Sequence, residues 1–226
     1  MADGEGKAAG FTSGGQAATI AFGIVSGCVP ALQPLLLGAL QASGRIDAAA
    51  IGTTATVEAL GMAAGSMVAA ALFRPRALRT KALLALLALA AANAATVVAP
   101  AGLLLGARGA SGLAAGVLLW LLVTMMTRAA DPARIFAIYV TSQGLLTIGL
   151  SALMTQLVLP TAGVAGGYGL LVGLALLLVP AAAALPQVPL IAGEAAASGN
   201  APMLPPLAGV LGLAAVAAVL GGLFAF

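Results

Sequence analysis

Residues 103–127 read LLLGARGASGLAAGVLLWLLVTMMT. This is an apolar run of about 25 residues, long enough as a helix to cross a hydrocarbon core of roughly 30 Å. A single charge, Arg108, interrupts it, and the short polar turn RAADPAR that follows leads at once into another apolar run. A chain that repeats this pattern has few options. In lipid every backbone N–H and C=O must find its partner within the protein, so spanning segments of this length are helices. Hydrophobic residues make up 62% of the chain and charged residues 7%, against about 25% charged in an ordinary soluble domain. Too little polar surface exists to cover a soluble fold. The chain reads as an all-α integral membrane protein.

The same sparseness of charge excludes other classes. The net charge is only +3, and the basic residues sit between apolar runs rather than along one face, so nucleic acid is not an expected partner; the lipid bilayer is. There is no histidine and a single cysteine, Cys28, inside an apolar run. No intrachain disulfide, metal site or cofactor is expected, and an enzyme is not expected either. Residues 1–16 carry acids and glycines ahead of an apolar run too long for a signal-peptide core. They read as a short disordered cytoplasmic tail.

The apolar runs give spans at residues 17–42, 48–73, 82–99, 103–127, 133–159 and 164–185. Residues 186–206, rich in Pro, Gly, Ala and Ser, read as a cytoplasmic linker, and 207–226 as a seventh span. Pro30 and Pro34 lie inside the first span and predict a bend there. Residues 100–102 and 160–163 read as tight uncharged turns. With the N-terminus inside, the cytoplasmic face receives Lys7, Arg74, Arg76, Arg79, Lys81, Arg128 and Arg134, and the other face only Arg45. The positive-inside rule therefore predicts a multi-pass protein of the inner (cell) membrane with a cytoplasmic N-terminus. Gly23 with Gly27, Gly61 with Gly65, Gly112 with Gly116 and Gly169 with Gly173 recur at the spacing that lets helices approach closely in lipid; a chain this rich in glycine also produces such pairs by chance.

Glu58 is the sharpest single feature. It lies about ten residues into its span, roughly 15 Å at 1.5 Å per residue, near the bilayer midplane. A charge there costs at least about 2.5 kcal/mol, so the carboxyl must be neutral, paired or in a polar cavity. Arg108 is its natural partner. The functional expectation is a proton-coupling or substrate-contacting pair, and the plainer one is a structural ion pair between two helices. Gln33, Asn93, Tyr139 and Gln143 are the further polar candidates for a cavity.

These features together resemble the amino-terminal half of a major facilitator superfamily transporter: six spans, an internal N-terminus, a basic loop after the second span, then a linker and another span. Arg108-Gly-Ala-Ser-Gly112-Leu-Ala-Ala-Gly116 resembles the family's fourth-helix motif, and Arg128-Ala-Ala-Asp131-Pro132-Ala-Arg134 its charged turn after the fourth helix. Arg74-Pro75-Arg76-Ala-Leu-Arg79-Thr-Lys81 keeps the basic residues of the family's loop between helices two and three, with Pro75 in place of its aspartate. The resemblance implies a bundle of two inverted three-helix repeats followed by a seventh transmembrane helix. It implies secondary transport of a small organic solute, with Arg108 implicated in proton transfer as in the family's proton-coupled members. Gating or orientation is implied for Arg74, Arg76, Arg79, Lys81, Arg128, Asp131 and Arg134. Because the family has twelve spans, it also implies a fragment or a half that works with a second half-transporter chain.

Two other readings fail on missing residues. Gly109-Ala110-Ser111-Gly112 spells the GxSG of rhomboid proteases, but no histidine is present to activate the serine. A retinal protein needs a lysine in its last helix, and residues 207–226 contain none. The remaining rival is a non-transporting membrane scaffold, assembly partner or transporter remnant, in which Glu58 and Arg108 serve structure alone.

Overall fold

The computed structural model describes residues 13–129 and 131–185. The predicted linker at 186–206, the seventh span and most of the predicted tail lie outside the described residues. The described residues belong to one unit, Met1–Ile191. They form six helices: α1 Ser13–Ala42, α2 Ala48–Leu72, α3 Leu78–Val98, α4 Ala101–Met126, α5 Pro132–Leu153 and α6 Leu159–Leu177. Five helical stretches are long and apolar enough to cross a membrane, because α5 and α6 run on as one stretch from Pro132 to Ala184.

The expected turn at 160–163 is where that stretch folds back on itself, since Gly166 lies beside Val158 and Ala162, and Gly167 beside Leu159. A π-helical turn, Met154–Val158, joins α5 to α6, and Pro160 lies in the first turn of α6. Only Gly163 leaves helical dihedrals, at φ 58° and ψ −150°, a conformation that a side chain disfavours. The chain therefore changes direction at one residue. Two boundaries differ from the expected ones. α1 begins at Ser13, four residues before the expected span (17 − 13), and α3 begins at Leu78, which puts Arg79 and Lys81 in its first turn rather than in a loop. Lys81 is tolerated there because its ammonium reaches back to the loop carbonyls of Arg74 (2.5 Å) and Arg76 (2.9 Å). It also lies over the rings of Phe73 and Trp120, 5.1 and 5.6 Å from their centroids.

Short caps fix the helix ends. Asp47 accepts a hydrogen bond from the Ala50 N–H (2.7 Å) to start α2, and Asp131 accepts one from the Arg134 N–H (3.0 Å) to start α5. Arg45, between α1 and α2, donates to the carbonyls of Val97 (2.9 Å) and Ala99 (2.6 Å). It thereby ties the α1–α2 connection to the carbonyl end of α3, where a cation is favoured. Arg45→Gln should lower stability by about 1–2 kcal/mol, the worth of hydrogen bonds from a charged donor on a half-buried group. Reversible unfolding in detergent measures it, and an unchanged midpoint would remove Arg45 from the account of α3.

The helices pair as α2 with α4, α3 with α4, α1 with α4, α3 with α6, α1 with α5 and α1 with α6. α2 and α4 run parallel, since Gly61 lies against Gly109 and Gly65 against Leu113. Both therefore end on the same side, and the connections bearing Arg74, Arg76, Arg128 and Arg134 share that side. The glycine pairs explain the intimacy of α2 and α4. A Cβ on Gly61, Gly65, Gly112 or Gly116 would fall inside 3.0 Å of backbone atoms of the opposing helix, so the two backbones touch. Gly23 and Gly27 instead receive side chains, whereas Gly169 and Gly173 have nothing within 4 Å.

Two apolar clusters fill the interior. One, nearer the basic side, includes Phe22, Val25, Leu86, Leu89, Leu118 and Trp120. The other includes Leu32, Leu36, Leu40, Leu104, Leu150 and Leu171. Along α3 and α4 the buried Asn93, Thr96, Arg108 and Ser111 fall between the two clusters. Large apolar side chains such as Leu60, Met67 and Leu72 of α2, and Phe136, Leu145 and Ile148 of α5, point outward, as the surface of a membrane bundle requires.

Candidate functional site

The level between the two apolar clusters holds a polar cluster assembled from five helices. Glu58 of α2 and Arg108 of α4 form an ion pair, with Arg108 Nη2 donating to Glu58 Oε1. Both are buried, at 2% and 1% exposure, so neither charge meets water or lipid. Gln33 of α1 donates from Nε2 to the other carboxylate oxygen, Oε2, at 2.6 Å. Arg108 Nη1 donates to Asn93 Oδ1 (2.9 Å) and to Thr96 Oγ1 (3.3 Å), both on α3. The ring of Tyr168, on α6, stands 4.9 Å from the guanidinium carbon.

The direction of these bonds follows from local helix chemistry. Asn93 Nδ2 donates to the Leu89 carbonyl (2.9 Å) and Thr96 Oγ1 to the Ala92 carbonyl (2.8 Å), each one turn back on α3. With one proton of each committed to its own helix, both residues turn oxygen lone pairs toward the guanidinium. Arginine has only donors and a carboxylate only acceptors, so the set matches in polarity as well as in place. The α2–α4 glycine contact sets the spacing. Gly112 lies one turn beyond Arg108, and a Cβ there would collide with the Glu58 carbonyl oxygen; without that space the two side chains could not meet head-on. Ser26 and Ser66 add further ties to α4, donating to the carbonyls of Ala115 (2.8 Å) and Gly116 (2.9 Å).

Of the residues singled out from the sequence, the structure brings together Gln33, Glu58, Asn93 and Arg108. It does not bring Tyr139 and Gln143 to them. Those two lie on α5 against Gly23 and Gly27 of α1, and Gly27 is about 9 Å along the helix from Gln33 at 1.5 Å per residue. Arg74, Arg76 and Arg79 are exposed around the turn braced by Lys81. Arg128 donates to the Thr124 carbonyl (2.6 Å) at the end of α4, and Asp131 caps α5. Among the described residues Glu58–Arg108 is the one ion pair, so Asp131 pairs with none of the basic residues on its side.

Three neighbours of the pair were not assigned to it from the sequence, although Ser111 was weighed as a nucleophile. Thr96 lies three residues after Asn93 and Ser111 three after Arg108, spacings that put each on its neighbour's helix face; that signal was available. Tyr168 carried none, because nothing local to α6 points it toward α4. Two buried polar atoms around the pair close no hydrogen bond: Arg108 Nε and Tyr168 Oη. Comparison with protein-family models, with curated proteins and with solved structures gives no match. The arrangement itself is that of a multi-pass membrane bundle with one buried ion pair at its centre.

Proposed function

We propose that the chain is a secondary transporter unit, not an enzyme, with the Glu58–Arg108 pair as its proton-sensitive latch and a small organic solute as its cargo. The observation that carries this reading is the convergence of five helices on one buried carboxylate–guanidinium pair midway along the spans. Ionisable residues inside membrane spans are costly and mark proton or substrate paths more often than not. A proton delivered to Glu58 would cancel its attraction to Arg108, and a solute anion would compete for the same guanidinium. Either event loosens the contact that ties α2, α3 and α4 together.

The pairing of helices supports the finer expectation of two inverted three-helix repeats. Exchanging α1 with α4, α2 with α5 and α3 with α6 converts the α2/α4 contact into α5/α1, and α3/α4 into α6/α1. The α1/α4 and α3/α6 contacts map onto themselves. In both halves of this scheme the second helix runs parallel to its partner, as Gly23–Tyr139 and Gly27–Gln143 repeat the α2–α4 order. Repeats of this kind place substrate sites near the midplane and move by rocking against another bundle. The proposal therefore includes a second six-helix half, supplied by a second half-transporter chain or by more of the same polypeptide, and a cytoplasmic N-terminus and basic side set by the positive-inside rule.

One observation favours a second reading. The pair is enclosed, and Gln33, Asn93 and Thr96 already meet its outward atoms, as in a structural clamp of a non-transporting scaffold. Proteoliposomes holding the complete transporter, both six-helix halves, with an internal pH dye separate the two. Transport predicts that some member of a panel of small organic acids, amines or sugars drives proton flux, and that Glu58→Gln, normalised to folded protein, abolishes it. Undiminished flux in the folded variant would refute the latch, and no flux with any solute would leave the scaffold reading.

A further inference from the structure

A second feature lies outside the polar cluster and does not depend on transport. Between α2, α3 and α4, on the side where the basic connections lie, is an open groove of about 340 Å³. Val68 and Gly65 form one wall, Leu84 and Ala88 the opposite one, and Leu113 and Val117 the floor. Val68, Leu84 and Leu113 are 48%, 64% and 45% exposed, so the groove opens on the outside of the six helices and not into the bundle interior. It extends over about two helical turns, roughly 10 Å. Its lining is apolar with one exception, Lys81, which closes the end nearest the basic connection.

That end is unusual in its charge balance. The Lys81 ammonium is held in place by the carbonyls of Arg74 and Arg76 and by two ring faces. Of its three protons, two are used by those carbonyls. Arg74, Arg76 and Arg79 are exposed on the same turn and make no ion pair among the described residues. Four cations without a carboxylate, at the mouth of an apolar slot open to the acyl region, complement one kind of molecule. We propose that the groove seats an anionic phospholipid, with one acyl chain lying along Leu84, Ala88 and Leu113 and the phosphate among Lys81, Arg74 and Arg76. A zwitterionic lipid supplies the chain but not the net charge. A free phosphate supplies the charge but leaves the slot unfilled. Anionic lipid attracts each membrane-surface cation with an energy near 1 kcal/mol, about a fivefold effect on binding.

Native mass spectrometry of the full chain, released from micelles containing equal amounts of dioleoyl phosphatidylglycerol and dioleoyl phosphatidylcholine, tests this. The expected result is one retained phosphatidylglycerol in clear preference. Arg74→Gln/Arg76→Gln should reduce that preference roughly fivefold per charge. Ala88→Phe, which fills the slot from an exposed position and leaves every cation in place, should remove the bound lipid; Ala110→Leu fills the same slot from α4 if the first variant misfolds. Equal retention of both lipids would overturn the proposal. So would undiminished phosphatidylglycerol on the slot-filled variants, which would reduce the site to surface charge, or a second protein chain retained there in place of lipid.

Discussion

Glu58→Leu is expected to destabilise the bundle by about 3–5 kcal/mol, the usual cost of removing one partner from a buried ion pair. The reason is that it strands Arg108. The guanidinium is 1% exposed, has no neutral form available to it in proteins, and would keep only Asn93 and Thr96 as partners. The complementary Arg108→Leu should cost less, because a carboxyl can be neutralised by a proton and Gln33 still reaches it. Glu58→Leu/Arg108→Leu should then recover part of the loss. Asn93 and Thr96 donate to their own helix whether or not the arginine is present, so removing both charges takes a partner only from neutral groups, the Gln33 amide and the Asn93 and Thr96 oxygens. Reversible unfolding of the four proteins in mixed micelles gives the coupling directly, and a value of at least about 2 kcal/mol is expected for groups in such contact. Simple additivity of the two single losses would show that the pair does not hold α2 to α4.

The second large effect is expected at the helix contact that makes the pair possible. Gly112→Ala and Gly116→Ala each put a methyl group against backbone of α2, at the Glu58 and Met62 carbonyls respectively. Backbone cannot swing aside as a side-chain tip can, so the helices must separate. Overpacking of this kind costs about 1–3 kcal/mol per site, and the two changes together should exceed either, because they act on one contact. Separation should also open the Glu58–Arg108 bond, so Gly112→Ala is expected to shrink the coupling measured in the cycle above. Gly106→Ala supplies the internal control. It lies on the same helix with nothing within 4 Å of the added carbon, and gains the better helix former, so it should be neutral or slightly stabilising. A Gly112→Ala protein as stable as the Gly106→Ala one would mean that α2 and α4 are not in backbone contact.

How far the fold and the cluster were legible depends on which physical signal each feature carries. Arg45 was readable only as the lone basic residue on its side; its work as a brace on α3 requires knowing that the α1–α2 connection passes the end of α3. Asp47 and Asp131 could be recognised from sequence as helix starters, since capping is local. The glycine pairs were visible as spacing but not as contacts. Four identical-looking pairs divide into two that touch backbone, one that receives side chains and one that faces open space. Tyr139 and Gln143 were indistinguishable in sequence from Gln33 and Asn93, being single polar residues in apolar spans, yet only the latter two reach the pair.

The sequence by itself determined that this protein is a set of membrane-spanning helices, where most of them begin and end, and that Glu58 and Arg108 each needed shelter. Those conclusions rest on lipid: it cannot satisfy a backbone amide or solvate a charge, so length and polarity alone are decisive. Only the tertiary structure decided which faces meet, and with them the partners of each polar group and the joint at Gly163. A spanning helix is apolar all round, so no stripe of its surface announces the inward side. Its neighbours are chosen by backbone approach and by a few hydrogen bonds between residues far apart in the chain, such as Gln33, Glu58, Asn93 and Arg108.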